Sequence, residues 1–144
     1  MQNERTLGAN ITLAEARKVA ESALEAVGGG LPVSVAILDN AGVLVYFSRM
    51  DGATPNSAMM SQNKAYTAIQ WRRDTKVVNA LMKETEVDRT FFGDPRYAPL
   101  EGGVLLRSSD GAIVGAIGIS GRLPQEPPAD DDIAQAAAKM YRES

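Results

Sequence analysis

The sequence predicts an α+β fold in which an antiparallel sheet is flanked by helices, in the order α-β-β-α-α-β-β-α. Three observations carry this expectation. Two pairs of short β-branched-rich runs each enclose a turn cluster, Asp39-Asn40-Ala41-Gly42 and Ser109-Asp110-Gly111, which marks two hairpins. Segments with apolar residues at three- and four-residue spacing precede, separate and follow those hairpins. Hairpins separated by helices favour antiparallel pairing over the parallel sheet of a Rossmann unit.

The elements follow in order. Residues 1–10 are expected to be a loose lead-in. Thr12-Leu13-Ala14-Glu15 reads as a capping box that opens a helix, in which hydroxyl and carboxylate each satisfy an orphan N–H. Leu13, Ala16, Ala20, Ala23, Leu24 and Val27 give that helix one apolar face, and Gly28-Gly29-Gly30 with Pro32 ends it. Val33 to Leu38 and Val43 to Arg49 form the first hairpin. Both runs are apolar on both faces, so the sheet should be covered at least partly on each side.

Thr54-Pro55-Asn56-Ser57 is a start signal for a helix expected to run to Trp71, with small residues Ser61, Ala65 and Ala68 on one side. Asp74 or Thr75 can cap a shorter helix carrying Val77, Val78, Leu81 and Met82. Residues 85–100 lack a clean period and read as a long surface loop. It holds Phe91, Phe92 and Tyr97, and loops of this length often carry function. Val104 to Arg107 and Ala112 to Ser120 form the second hairpin. After a proline-rich connection, Asp130-Asp131-Asp132 opens a last helix at its positive dipole end, with Ile133, Ala136, Ala137, Met140 and Tyr141 facing inward.

Composition narrows the chemistry. The 144 residues are expected to form one domain over 1–144, and 44% hydrophobic with 23% charged residues is ordinary for a globular protein. A net charge of −3 argues against a nucleic-acid partner. No cysteine is present, so disulfides, thiolate nucleophiles and Cys-ligated metals are excluded. No histidine is present either, which removes the commonest general base, metal ligand and haem ligand. No metal site is expected. The polar start, without an apolar run behind it, and the lack of a stretch of about 18 apolar residues lead us to expect a cytoplasmic chain with no membrane contact.

Four segments, in order along nearly the whole chain, resemble the GlcG/HbpS family, whose domain also forms the C-terminal part of PduO-type corrinoid adenosyltransferases. They are Ile11-Thr12-Leu13-Ala14-Glu15-Ala16; Pro32-Val33-Ser34-Val35-Ala36-Ile37-Leu38-Asp39 with Gly42; Arg49-Met50-Asp51-Gly52-Ala53 with Lys64-Ala65-Tyr66-Thr67-Ala68; and Gly102-Gly103-Val104 with Val114 to Gly121. The resemblance implies a profilin-like fold that assembles into homo-oligomers, dimers or larger. Some relatives bind haem, and haem-binding relatives can use histidine. Its absence here disfavours haem, which would need Tyr, Met or Lys.

The candidate site residues are read against plainer alternatives. In the last strand Ile113, Gly115, Ile117 and Ile119 should share one face, and Ala112, Val114, Ala116, Gly118 and Ser120 the other. Glycine inside a strand implies close approach, either of a ligand to bare backbone at Gly118, Ser120 and Gly121 or of a packed helix. Met60, Lys64, Thr67 and Trp71 share a helix face. Lys64 could hold a carboxylate or act as a base or Schiff-base amine, or merely extend to solvent. Arg122 and Arg49, from segments that resemble the family, could join Lys64 around one anionic ligand. Arg72 and Arg73 read as dipole compensation or anion capture.

Asp39 reads as a turn former or a general base, and Glu101 is a second candidate base. Phe92 and Tyr97 belong to a loop that could be a lid, an oligomer contact or a satellite cluster. Met50, Met59, Met60 and Met82 read first as packing residues. The sequence therefore leads us to expect a small-ligand-binding protein, its ligand a small organic acid or possible haem. The alternatives are a cofactor-free tautomerase, isomerase or lyase using Lys64, Asp39 or Glu101, and an oligomeric accessory module without pocket chemistry.

Overall fold

A computed structural model describes residues 9–144; the expectation for the lead-in therefore lies outside the described residues as far as residue 8. The elements are α1 (Leu13–Val27), β1 (Ser34–Asp39), β2 (Leu44–Arg49), α2 (Pro55–Trp71), α3 (Thr75–Thr85), a 3-10 turn (Arg89–Phe92), β3 (Gly103–Arg107), β4 (Ile113–Ser120) and α4 (Asp130–Glu143). The four strands form one antiparallel sheet in the order β2-β1-β4-β3. The two hairpins thus lie side by side, with β1 and β4 at the centre. No helix among the described residues is long and apolar enough to cross a membrane.

Local chemistry accounts for the element boundaries. Thr12 Oγ1 accepts from Glu15 N at 3.1 Å and Glu15 Oε1 accepts from Thr12 N at 2.9 Å, the reciprocal bonds expected of the capping box. Thr54 Oγ1 caps α2, and Pro55 occupies its first turn, where a missing N–H costs nothing. Ile11, Val19, Val35, Ile37, Leu106, Ile117, Ile119 and Ile133 build a core between the sheet and the pair α1 and α4. Ala36, Leu38, Ala65, Tyr66, Ala68, Ile69, Leu105 and Ala116 build a second core under α2.

Several expected faces shift. Leu13 is exposed, and α1 instead buries Ala16, Val19, Ala20, Ala23 and Val27. Val77 and Ala136 are also exposed, while Val78, Met82, Ile133, Ala134 and Ala137 are buried. In β4 the pairing skips a residue: Leu106 faces Gly115 but Arg107 faces Ile113. This bulge turns Val114 towards α1 and α4 and Ile113 towards α2, so strict alternation fails there.

Glycine sets how closely α2 lies on the sheet. A Cβ at Gly118 would stand 2.9 Å from Ser61 C and 3.0 Å from Ala65 N, and would overlap Ser61 O. A Cβ at Gly103 would stand 2.7 Å from Thr75 Cγ2 and 2.8 Å from Lys64 C. The helix therefore meets the strands backbone to backbone. Gly118→Ala should lower stability by about 3 kcal/mol or prevent folding, because rigid backbone cannot yield as a side chain can; urea denaturation checks this, and a loss below about 0.5 kcal/mol, the scale of neutral surface changes, would contradict it.

Candidate functional site

A cleft of about 560 Å³ opens where the first turns of α2, the end of β4 and the start of α4 converge, a size ordinary for small-molecule sites. Its walls include Asn56, Met60 and Lys64 of α2, Asn79 and Lys83 of α3, Glu101, the Ser120–Pro124 segment and Asp130–Asp131. Lys64 is 4% exposed. Its Nζ donates to Ile119 O at 2.9 Å and to Asp130 Oδ2 at 3.1 Å. Arg122 N donates to Asp130 Oδ1 at 2.9 Å, so both oxygens of this buried carboxylate are bound.

An ammonium has three donors, and two of those on Lys64 are committed to the protein. The third has no acceptor among the described residues. Asp131, also in the wall, is buried, and its Oδ1 has no partner among the described residues. Burial pushes the Asp131 carboxyl above the usual carboxylate range. Among the described residues no group of three or more Asp or Glu is arranged to hold a metal ion.

A second groove of about 590 Å³ adjoins the first, sharing Met60, Asn79, Lys83 and Leu100 with it. Met59, Met82, Arg89 and Tyr97 complete much of its wall, between α2, α3 and the 86–100 loop. That loop is fastened to α2. Thr67 Oγ1 accepts from Ala98 N at 2.8 Å, and Tyr66 OH donates to Asp94 Oδ2 at 2.5 Å. Arg96 donates to Tyr66 OH at 2.6 Å and lies 3.9 Å above its ring. Burial, then the bond to Asp94, raises the Tyr66 phenol above its ordinary value, and the Tyr66 hydroxyl leads the groups that hold Asp94 below its own.

The structure brings Lys64, Glu101, Ser120, Gly121 and Arg122 to one cleft and leaves the other candidates elsewhere. Gly118 does not border it, because α2 backbone fills the space over that glycine. Arg122 contributes to the wall, but its guanidinium turns away. It donates to Val27 O at 2.7 Å and Gly29 O at 2.8 Å, capping the C-terminus of α1, which has no basic residue in its own last turn. Arg49 donates to Ala53 O at 2.8 Å outside the cleft. Asp39 closes the β1–β2 turn by accepting from Ala41 N and Val43 N at 2.9 and 3.0 Å, the Asx-turn role.

Thr67 is buried under the loop. Trp71 packs edge-on to Phe92 at 5.3 Å and Tyr97 at 6.4 Å between ring centroids, at the far end of α2. Arg72 takes a left-handed conformation as the cap of α2 and donates to Asn40 O at 3.1 Å. Asn79, Lys83 and Asp131 escape the sequence reading. Only the four-residue spacing of Asn79 and Lys83, which puts them on one helix face, could have hinted at them.

The family profile described as "Haem degrading protein HbpS-like" matches residues 11–139. The chain belongs to the HbpS-like family. This HbpS-like chain is 40% identical over 96 residues to Protein GlcG of Escherichia coli K12, covering 67% of this chain and 69% of GlcG. A crystal structure of a double mutant of HbpS from Streptomyces reticuli is 31% identical with a TM-score of 0.78, covering 97% of this chain and 92% of that one. The crystal structure of a PduOC–haem complex is 25% identical with a TM-score of 0.79, covering 91% and 94%. The GlcG/HbpS resemblance and the α+β order of elements read from the sequence are thereby established.

The buried pair gives a direct test. Lys64→Met should cost about 3–5 kcal/mol, because it leaves Asp130 charged in a buried place. Adding Asp130→Asn should recover part of the loss. Denaturation midpoints that simply add would contradict the coupling.

Proposed function

We propose that this HbpS-like protein binds a small organic acid in the cleft between α2, β4 and α4. The observation that carries the reading is the Lys64 ammonium, held in the wall with one donor uncommitted. Lys83, Asn56 and Asn79 add a cation and amide donors from the same walls. A carboxylate oxygen reaching Lys64 would accept a charge-assisted bond inside a site partly shielded from water, which strengthens it. The same reading takes the chain to be a cytoplasmic homo-oligomer; the exposed Phe91 and Phe92 offer a flank for a second copy.

A second reading concerns haem, favoured by the solved PduOC–haem complex and by the adjoining groove. For an apolar molecule with anionic edges, Met59, Met60 and Met82 would supply thioether surface, and Lys83 and Arg89 cations set among the carboxylates of Glu86 and Asp88. The donor set fits haem iron less well, since the wall offers thioethers, the Tyr97 phenol, Lys83 and the carboxylates of Glu86 and Asp88 but no imidazole or thiolate. When bound, haem would supply redox chemistry at its iron. Proton-transfer catalysis has a weaker footing, since Asp39 is committed to its turn.

Calorimetric titration with small dicarboxylates tests the first reading. Saturable binding is expected, with Lys83→Ala weakening it at least about fivefold, the scale of one exposed charge at a ligand. Haem titration followed at the Soret band tests the second: a band lost in Tyr97→Phe or Met60→Leu supports it, and no band removes it.

A further inference from the structure

Among the residues that line the cleft, two buried polar atoms have no partner among the described residues, Arg122 Nε and Asp131 Oδ1, and Asp131 Oδ1 is the acceptor of the two. Lys64 has two acceptors, and Asp130 has two donors. Ser57 pairs with Ser34 at 2.9 Å and donates to Thr54 O at 2.7 Å. Asp131 is 8% exposed, and its Oδ1 has no partner among the described residues. It sits beside Asp130 on the first turn of α4, yet one carboxylate has both oxygens bound by the protein and the other has one oxygen left open.

The groups facing Asp131 are Lys76 on α3, Asp74 at its N-cap, Glu101 before β3 and Gln135 further along α4. Of these, the Gln135 side chain hydrogen-bonds the Asp131 carboxylate, yet Oδ1 keeps no partner among the described residues. Gln135 Nε2 also donates to Asp74 Oδ2 at 3.1 Å, so its two N–H groups are shared between two carboxylates. Glu101 and Asp74 are like charges, and the Lys76 cation offsets them. An acceptor buried without a donor carries its full desolvation penalty, which a donor arriving with a ligand would relieve.

We propose that Asp131 is the orienting acceptor of the cleft, taking an O–H or N–H from a small acid that carries such a donor in addition to its carboxylate. The proposal rests on the acid-binding reading above. The carboxylate of the ligand meets Lys64 and Lys83, and its donor meets Asp131. The cleft thereby distinguishes hydroxy or amino acids from plain acids of the same length, because a plain acid leaves Asp131 Oδ1 unpaired.

Calorimetry on the full chain with succinate, malate and aspartate tests this. Malate, aspartate or both should bind at least about tenfold more tightly than succinate, a difference of about 1.4 kcal/mol. Preference for malate assigns a hydroxyl donor, and preference for aspartate an ammonium. Asp131→Leu should abolish the preference while raising the urea midpoint at neutral pH, whereas a merely structural Asp131 would lower the midpoint and leave the preference intact. Because burial raises its folded-state pKa, Asp131 weakens the fold as pH rises through that range; the gain from Asp131→Leu should therefore shrink as pH falls below it.

Asp131→Asn, which preserves shape, should reduce the preference at least about threefold and serves if the leucine variant does not fold. Equal binding of the three acids to the wild type overturns the role of Asp131 and leaves the cleft reading standing. Binding of none overturns both.

Discussion

The close approach of α2 to the sheet is the constraint from which the rest of the molecule follows. Two positions without a Cβ, Gly103 and Gly118, let the carbonyls of Lys64 and Ser61 rest directly on neighbouring strands. With the helix backbone so near, the Lys64 side chain can reach the carbonyl at the end of β4 and the carboxylate at the start of α4. Since α2 and α4 cover opposite faces of the sheet, one lysine ties the two layers together around its end. A helix held farther out by a methyl group would lift that amine from its acceptors.

The same end of the sheet gathers most of the buried charge. Arg122 uses its backbone to hold Asp130 and its guanidinium to close the C-terminus of α1. Lys64 and Asp130 offset each other, so the cleft wall can hold ions without a large uncompensated charge. What remains unspent there among the described residues is small and specific: one donor on Lys64, the Nε of Arg122 and one acceptor on Asp131. A fully satisfied network would be scaffold alone; the open donor of Lys64 and the open acceptor of Asp131 are what the proposed ligand would engage.

The order of elements was legible because each boundary has a local cause, such as the Thr12–Glu15 box, the Asp39 turn or Pro55 at a helix start. Faces were harder to read where tertiary structure overrides periodicity, as at Leu13, left outside, and at the β4 bulge that turns Val114 over. The glycines of β4 and the lysine of α2 were visible as unusual, but not which neighbour each would meet. Gly118 meets a helix and Lys64 meets the cleft, although both answers follow from the same contact. Arg122 was misdirected because sequence shows its nearness to the Ser120–Gly121 strand end and not the open helix terminus ninety-odd residues upstream. Asp131 looked identical to Asp130 and Asp132; burial sets Asp130 and Asp131 apart from Asp132, and only the open Oδ1 sets Asp131 apart from Asp130.

The most direct test of this account is the exchange behaviour of the lysine ammonium groups, followed by NMR on protein labelled with ¹⁵N at lysine Nζ. Lys18, Lys76, Lys83 and Lys139 are exposed, and their ammonium protons should exchange too fast to observe at neutral pH. Lys64 should give a persistent signal with couplings or contacts to Ile119 and Asp130, and Gly103→Ala should erase it. A Lys64 signal that vanishes with the other four would contradict the claim that seating α2 on bare backbone fixes this amine.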